Sequence, residues 1–506
     1  ISGLNNGECI SFNQLFSDHE NDVYRLTDGI IAASEGNLCF KDKLKFRLEL
    51  NNLLEKRKDL LLELIKTNPA KAFMMKQLPD DVLSKLSSRE NMDLIEKKDE
   101  FSGKLEIVHT HGIDNFEDSQ FIFYLNNEGK RHRLFYNDDL PVIDSGAKIG
   151  ITALALGDKM ALNPEDVPFR ILEIPPESPA SENFGPQNTL VILADIGDNS
   201  ISTTVEEARD LVFDNAERSV NDYYEKNSYG RMSLVGDVVG PYTLDESVCD
   251  FSRIIDESID AALSDDIPVA EYVNIVVGTP FTECSAYCGV THIGKMSRTL
   301  PNGEEFRFRG SHNPCFTLHT IGHELGHGFG AHHANLYSCL DPEGQFTPYS
   351  YECESIEYAD GYSIMGGSIG HHNSPHKNEI GWLSEDNIIT ATSGTYLLKP
   401  LETLQPAGNI QMIKIPIDID ASFYLGQDNI YYTIEFRQPL DVYESDSLSS
   451  SVFNGVSIRI AKFNNDGEFT YKQSSLISPV GDSPVSDAYL EIGGSFTDEI
   501  NGYRIT

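Results

Sequence analysis

Hydrophobic and polar positions change their period several times along this chain. Between Lys41 and Ile65 leucines recur at helical spacing with mixed charge on the remaining face, and Asp80–Leu94 carries a shorter version of that pattern. From about Gly103 the period falls towards two. KLEIVHTH, QFIFYLNNEGKRHRLFY and AKIGITALALG are rich in β-branched and aromatic residues, and Asn-Asn-Glu-Gly supplies a turn between two predicted strands. Residues 166–187 hold the Pro-, Ser- and Glu-rich run IPPESPASENFGP and read as a linker. Beyond it NTLVILADI predicts a buried strand. Thr203–Lys226 predicts a helix opening on Thr-Thr-Val-Glu-Glu, a cap with acids in the first turn, and EYVNIVVG predicts a further strand. Strand and helix in alternation predict an α/β core. After Trp382 the segments GTYLLKPL, NIQMIKIPI, IYYTIEFRQPL, VSIRIAKF and AYLEIGG, parted by turn residues, predict a β-sandwich. The chain thus reads as multidomain α+β. It divides into a helical region 1–100, a small all-β domain 101–165, a linker 166–187, an α/β domain 188–390 and a C-terminal β-sandwich 391–506.

Composition narrows the partners. The 506 residues exceed what one ordinary core serves, and 79 acidic against 39 basic residues leave a formal net charge of −40. Such a surface repels phosphate backbones and anionic lipid, which excludes nucleic acid as a partner and reads as a solubility device. No apolar run approaches the roughly 18 residues a spanning helix needs, so no membrane insertion is expected. The chain opens on Ile1 without a charged-then-apolar leader, which leads us to expect a removed signal peptide and a secreted protein. Its eight cysteines are even in number and include no CxxC pair, the mark of disulfides in an oxidising compartment. Expected pairs are Cys9 with Cys39 and Cys339 with Cys353, leaving Cys249, Cys284, Cys288 and Cys315 to pair among themselves.

The chemistry concentrates in His323-Glu324-Leu325-Gly326-His327-Gly328-Phe329-Gly330-Ala331-His332-His333. On a helix, residues four apart lie roughly 40° apart around the axis, so His323 and His327 aim two imidazoles at one point. Neutral imidazole suits zinc, and Gly330 can adopt the positive φ that turns the chain back so that His333 supplies a third nitrogen. A water completes the tetrahedron, and Glu324, beside the first ligand, is placed to take its proton and pass it on to a leaving amine. This long form, H-E-x-x-H-x-x-G-x-x-H, is far more specific than its first five residues. Spacing assigns His333 and not His332 to the metal, and His319, one turn before His323, reads as a packed or solvated residue. Downstream, Glu357-Tyr358-Ala359-Asp360-Gly361-Tyr362-Ser363-Ile364-Met365-Gly366-Gly367 places one of only eight methionines in a Gly-flanked turn 32 residues after His333.

With these motifs the chain resembles the gametolysin-like metallopeptidases of the metzincin clan, and more loosely the immune inhibitor A-type peptidases. His323–Asn335 is similar to the family's metal helix, and Tyr358–Gly366 to its methionine turn. His376-Lys377-Asn378-Glu379-Ile380-Gly381-Trp382-Leu383 is similar to the segment beyond that turn, Ser219–Gly230 to an early helix of the catalytic domain, and Tyr432–Pro439 to a C-terminal β-domain. The likeness spans roughly 100–460. It implies a metzincin-type zinc peptidase domain over 188–390, with one catalytic Zn2+ on His323, His327 and His333, Glu324 as base, and an extracellular or cell-surface protein or peptide as substrate. Ala359 stands where the family usually has Gly, and no Tyr follows Met365; Tyr362, three residues before the Met, is the candidate substitute.

Further expectations attach to the flanks. Residues 1–100 read as a regulatory, propeptide-like region whose leucines bury against the catalytic core, with Cys9 or Cys39 as a latency thiol if they are not paired. Asp195 with Asp198, or Asp418 with Asp420, could hold Ca2+. A monomer is expected. Two other functions fit the same residues, a narrow-specificity toxin-like protease and an adhesion or binding module with a structural zinc; an intact Glu324 speaks against the latter.

Overall fold

The computed structural model describes all residues except 1–9, 17–21, 37, 87–92, 112–119, 138–139, 141–144, 166–167, 174–182, 246–249, 283–286, 342, 344–345, 348–351, 418–429, 463–473 and 480–487. It is a mixed α/β protein whose chain forms two compact units. One comprises Ile1–Glu106, Ile122–Leu140 and Gly146–Pro175, the other Ile107–Phe121, Pro141–Ser145 and Pro176–Thr506.

In the first unit the leucine-spaced segment forms the helix Phe40–Thr67, packed on Val23–Ser34, which Asp22 caps through the amides of Tyr24 and Arg25. Its buried leucines find their partners in this unit, while Leu44 and Leu48 stay exposed. Leu54 joins Phe16, Leu26, Ile30 and Val82, while Leu61 and Ile65 join Phe73, Leu154 and Ala161, all within this unit. A buried Arg57 forms two 2.6 Å bonds to Glu96, and its Nε donates to Thr27. Asp80–Leu86 is helical, and the expected continuation falls largely outside the described residues. The β-segments close into a barrel. Lys148–Leu156, Lys159–Leu162, Lys130–Phe135, Gln120–Asn127 and Lys97–His111 pair in that order, and Lys97–Lys104 pairs back onto Lys148–Ala155. The expected linker is partly structured, since Arg170–Glu173 adds to the edge of Lys148–Leu156.

Among the described residues the second unit holds two large sheets and the small pair Phe496–Asp498 with Tyr503–Ile505. The first runs Ile107–His111, Gly289–His292, Glu305–Asn313, Asn274–Gly278, Gly185–Ile196 and Met232–Leu244, the last four parallel to one another and the first three joined antiparallel. In Gly185–Ile196 the continuous run 190–194 is apolar and buried, as a strand covered on both faces must be. The helix expected over Thr203–Lys226 is instead two helices, Val205–Phe213 and Val220–Asn227. Thr204 and Glu207 form the expected capping box, but Arg218 takes φ 76° and Ser219 caps a new helix through the Asp222 amide. The second sheet has nine strands. Ser474–Ile477 lies parallel to Ala334–Leu340, so the C-terminal strands share a sheet with the strand that follows His333. This sheet continues through Gly455–Lys462, Ile430–Glu435 and Met412–Pro416 to Ile388–Thr390. GTYLLKPL is not a strand apart from one isolated bridge at Pro400, and its Leu397 is exposed. Cys288–Cys315 and Cys339–Cys353 are disulfides, and Cys39 is disulfide-bonded, so it offers no free thiol. Cys9, Cys249 and Cys284 lie outside the described residues. No helix among the described residues is long and apolar enough to cross a membrane.

Candidate metal centre

The motif helix is Leu318–Gly328. Thr317 caps it by accepting from the Thr320 amide, and the Arg309 guanidinium closes its far end by donating to the Gly328 carbonyl at 2.8 Å. Gly330 takes φ 108°, and the amides of Gly330 and Ala331 return to the carbonyls of His327 and Gly326. That left-handed residue reverses the chain and delivers His333 to the head of the strand Ala334–Leu340.

Three buried imidazoles then converge. His323 Nε2 and His327 Nε2 lie 3.1 Å apart, and the rings of His323 and His327 lie 5.5 and 4.9 Å from that of His333. Each ring is oriented from behind. The Nδ1 of His323 faces the Ile364 carbonyl at 2.7 Å, that of His327 the Ala331 carbonyl at 2.8 Å, and that of His333 the Glu357 carboxylate at 2.5 Å. A proton on each Nδ1 leaves Nε2 as a lone-pair donor, the arrangement metal-bound histidines show. Burial lowers the His327 pKa to about 4, which favours the neutral form a metal requires. Tetrahedral zinc at about 2.0–2.1 Å would set its ligand nitrogens about 3.3 Å apart, close to the spacing seen. The donor set fits the metal.

A fourth histidine belongs to the cluster. His109, from the strand Lys97–His111, is buried, and ligand atoms of His109, His323, His327 and His333 all lie within 4.8 Å of one another. The motif spacing gives no sign of it. Its one trace is position, since Leu105, Ile107 and His109 alternate along a strand and the imidazole falls in line with two buried apolar residues. Tyr358 is the second omission. Its ring lies 3.9 Å from His333 and stacks on His323, and its hydroxyl is 3.0 Å from His109 Nε2. Tyr362, the residue singled out by sequence, instead packs with Leu336, Leu448 and Val452.

Glu324 is wholly buried, and among the described residues neither carboxylate oxygen has a hydrogen-bond partner. Burial pushes its carboxyl well above the usual range. It abuts Gly289, where an added Cβ would stand 2.3 Å from Oε1, so only a glycine edge admits the carboxylate here. Met365 lies under the helix in the main core with Ile321, Leu325 and Phe329, and a Cβ on Gly326 would meet its Sδ at 2.4 Å. The Ala334 amide donates to the Met365 carbonyl, which ties the turn to the strand that follows His333.

His332 is buried and His319 half-buried, and both stand outside the four-histidine group. His333→Ala is therefore expected to weaken zinc binding by more than the roughly 10–100-fold typical of losing an outer partner, and His332→Ala to leave it near the parent value. Competition with a chelating dye measures both, and equal losses would refute the register. Asp195 accepts from the Ile201 amide, and among the described residues neither it nor Asp198 joins a group placed to share an ion. Asp418 and Asp420 lie outside the described residues.

No family model and no curated protein matches this chain. A solved structure described as a chaperone-substrate complex matches at 11% identity and a TM-score of 0.22, over 51% of this chain and 48% of its own. The chain thus spans about half the length of that structure, and a superposition this loose carries no argument.

Proposed function

We propose that this chain is a zinc-dependent endopeptidase with a metzincin-type site, acting on protein or peptide substrates outside the cell. The observation that carries the reading is Glu324. A buried carboxylate without a hydrogen-bond partner is costly, and here it sits on the same helix turn as two histidines of a metal-fitting cluster. A structural metal site has no use for such a group; a hydrolytic one needs a base there.

Zinc held on these histidines supplies a Lewis acid for the scissile carbonyl and acidifies a water. His323, His327 and His333 would hold it, their Nδ1 partners fixing each ring. Glu324, itself buried, takes up a proton and returns it to the departing amine. The Tyr358 hydroxyl borders the same place and offers a donor to a developing oxyanion. The two disulfides suit an oxidising compartment.

The test uses the purified chain, both intact and nicked by limited proteolysis within 163–187. Casein hydrolysis should accompany about one bound zinc, stop on chelation and return with zinc. A fully metal-loaded protein that cleaves no peptide bond in either form would overturn the reading.

A further inference from the structure

A catalytic zinc keeps one position open, whereas a structural one is closed by four protein ligands. The motif accounts for three ligands here. The fourth place is approached by His109, which the motif does not contain and which lies more than two hundred residues upstream of it in the chain.

Its placement is specified by backbone pairing. Ile107–His111 lies antiparallel on the strand Gly289–His292, with Val108 opposite His292, His109 opposite Thr291, Thr110 opposite Val290 and His111 opposite Gly289. Gly289 is the residue against which Glu324 rests. The upstream segment therefore lies as an extended chain beside the base, with one side chain turned into the metal cluster. The His109 ring centroid is 4.1 Å from that of His333 and 5.0 Å from that of His327, with Phe121 at 4.8 Å on a further side. The Tyr358 hydroxyl stands 3.0 Å from Nε2 and 3.5 Å from Nδ1, so it can hold whichever ring nitrogen does not face the metal. A histidine merely packed in a core would not need a ligand atom within 4.8 Å of those of all three motif histidines.

We propose that His109 is a fourth metal ligand, and that residues Ile107–His111 close the site of this chain until they are displaced from Gly289–His292. The inference rests on the metallopeptidase reading and adds to it an intramolecular blocking group. Four nitrogens saturate a tetrahedral zinc and leave no place for water or a substrate carbonyl. Turnover then requires the metal to exchange one imidazole for water, and the same movement frees the Tyr358 hydroxyl.

Cobalt substitution and X-ray absorption test this on the whole chain. The parent protein should show four nitrogen ligands, and its cobalt d–d spectrum should not respond to acetohydroxamate, a small bidentate ligand. His109→Ala should still bind one cobalt, show three imidazoles with oxygen in the fourth place, and shift its spectrum on hydroxamate addition. Its hydrolysis of a short quenched peptide should rise on the order of 10–100-fold, as expected when a competent form goes from a few per cent of the population to most of it. Three imidazoles and a hydroxamate response in the parent itself would overturn the proposal while leaving the peptidase reading intact, and this arm needs no variant to fold. A variant that opens spectroscopically yet cleaves nothing would sink the peptidase reading and keep the ligand assignment.

Discussion

Glu324→Gln is expected to keep its metal and to lose peptide hydrolysis by on the order of 10²–10⁴-fold, the usual range for removing a general base. The residue is not among the four histidines able to share the ion, so zinc content should match the parent. Glutamine preserves the shape that fits against Gly289 but cannot take up a proton. The folded state should not suffer. Among the described residues the buried carboxyl has no hydrogen-bond partner and burial opposes its ionisation, so a neutral amide of equal size breaks no contact and adds no charge. The melting temperature should stay level or rise. Zinc per chain, melting temperature and turnover of a quenched peptide, measured together on His109→Ala protein with and without the second change, separate chemistry from unfolding. Turnover near the parent's would show that another group supplies the base.

The largest stability effect is expected at Arg437, whose loss should cost about 3–5 kcal/mol, the range for breaking a buried ion pair from one side. Arg437 is wholly buried, 3.1 Å from Glu435 and 3.2 Å from Glu402, in contact with Glu444, and it donates to the carbonyls of Tyr362 and His371. Arg459 shares Glu435 and also holds Asp360. Arg437→Met removes a charge and leaves carboxylates buried beside the residues of the methionine turn. Acid should probe the same cluster. Burial alone would raise the Glu435 pKa, but Arg459 and Arg437 outweigh it and hold the pKa at about 2. A carboxyl depressed on folding stabilises the native state above its ordinary pKa, about 4.3, and loses that contribution as pH falls towards 2. Urea unfolding should show the parent losing stability across that window and Arg437→Met losing less. A difference below about 1 kcal/mol at pH 7 would mean the network relaxes around the gap.

What was legible in the residues was local. The helix bearing His323 and His327 follows from spacing, and so does the reversal at Gly330, because both depend on backbone geometry within one or two turns. The capping box at Thr204 was equally plain, whereas the break at Arg218 was not; it needs a positive φ at a residue with no intrinsic preference for it. His109 was out of reach for another reason. Its partners come from long-range antiparallel pairing, and nothing in the alternation of a β-strand says which sheet its second half will join. Tyr358 shares that difficulty, since it meets the histidines through the return of the methionine turn. Of the N-terminal leucines expected to bury outside their own region, Leu54 is covered by neighbouring helices and Leu61 by barrel strands of the same unit, while Leu44 and Leu48 stay exposed.

The packing of the turn around Met365 beneath the helix Leu318–Gly328 bears on how freely this motif can vary or be transplanted. Gly322 and Gly326 occupy positions that a pattern of ligands leaves unspecified, yet an added Cβ would meet Ile364 at 2.6 Å at the first and Met365 at 2.4 Å at the second. Those two side chains come from a turn some forty residues downstream. Any drift in the helix at either glycine must therefore be matched by a smaller residue in the turn, and the reverse holds for a bulkier turn. Helix and turn form one heritable block, and grafting the eleven-residue signature alone onto a new scaffold would carry the ligands without the floor they stand on.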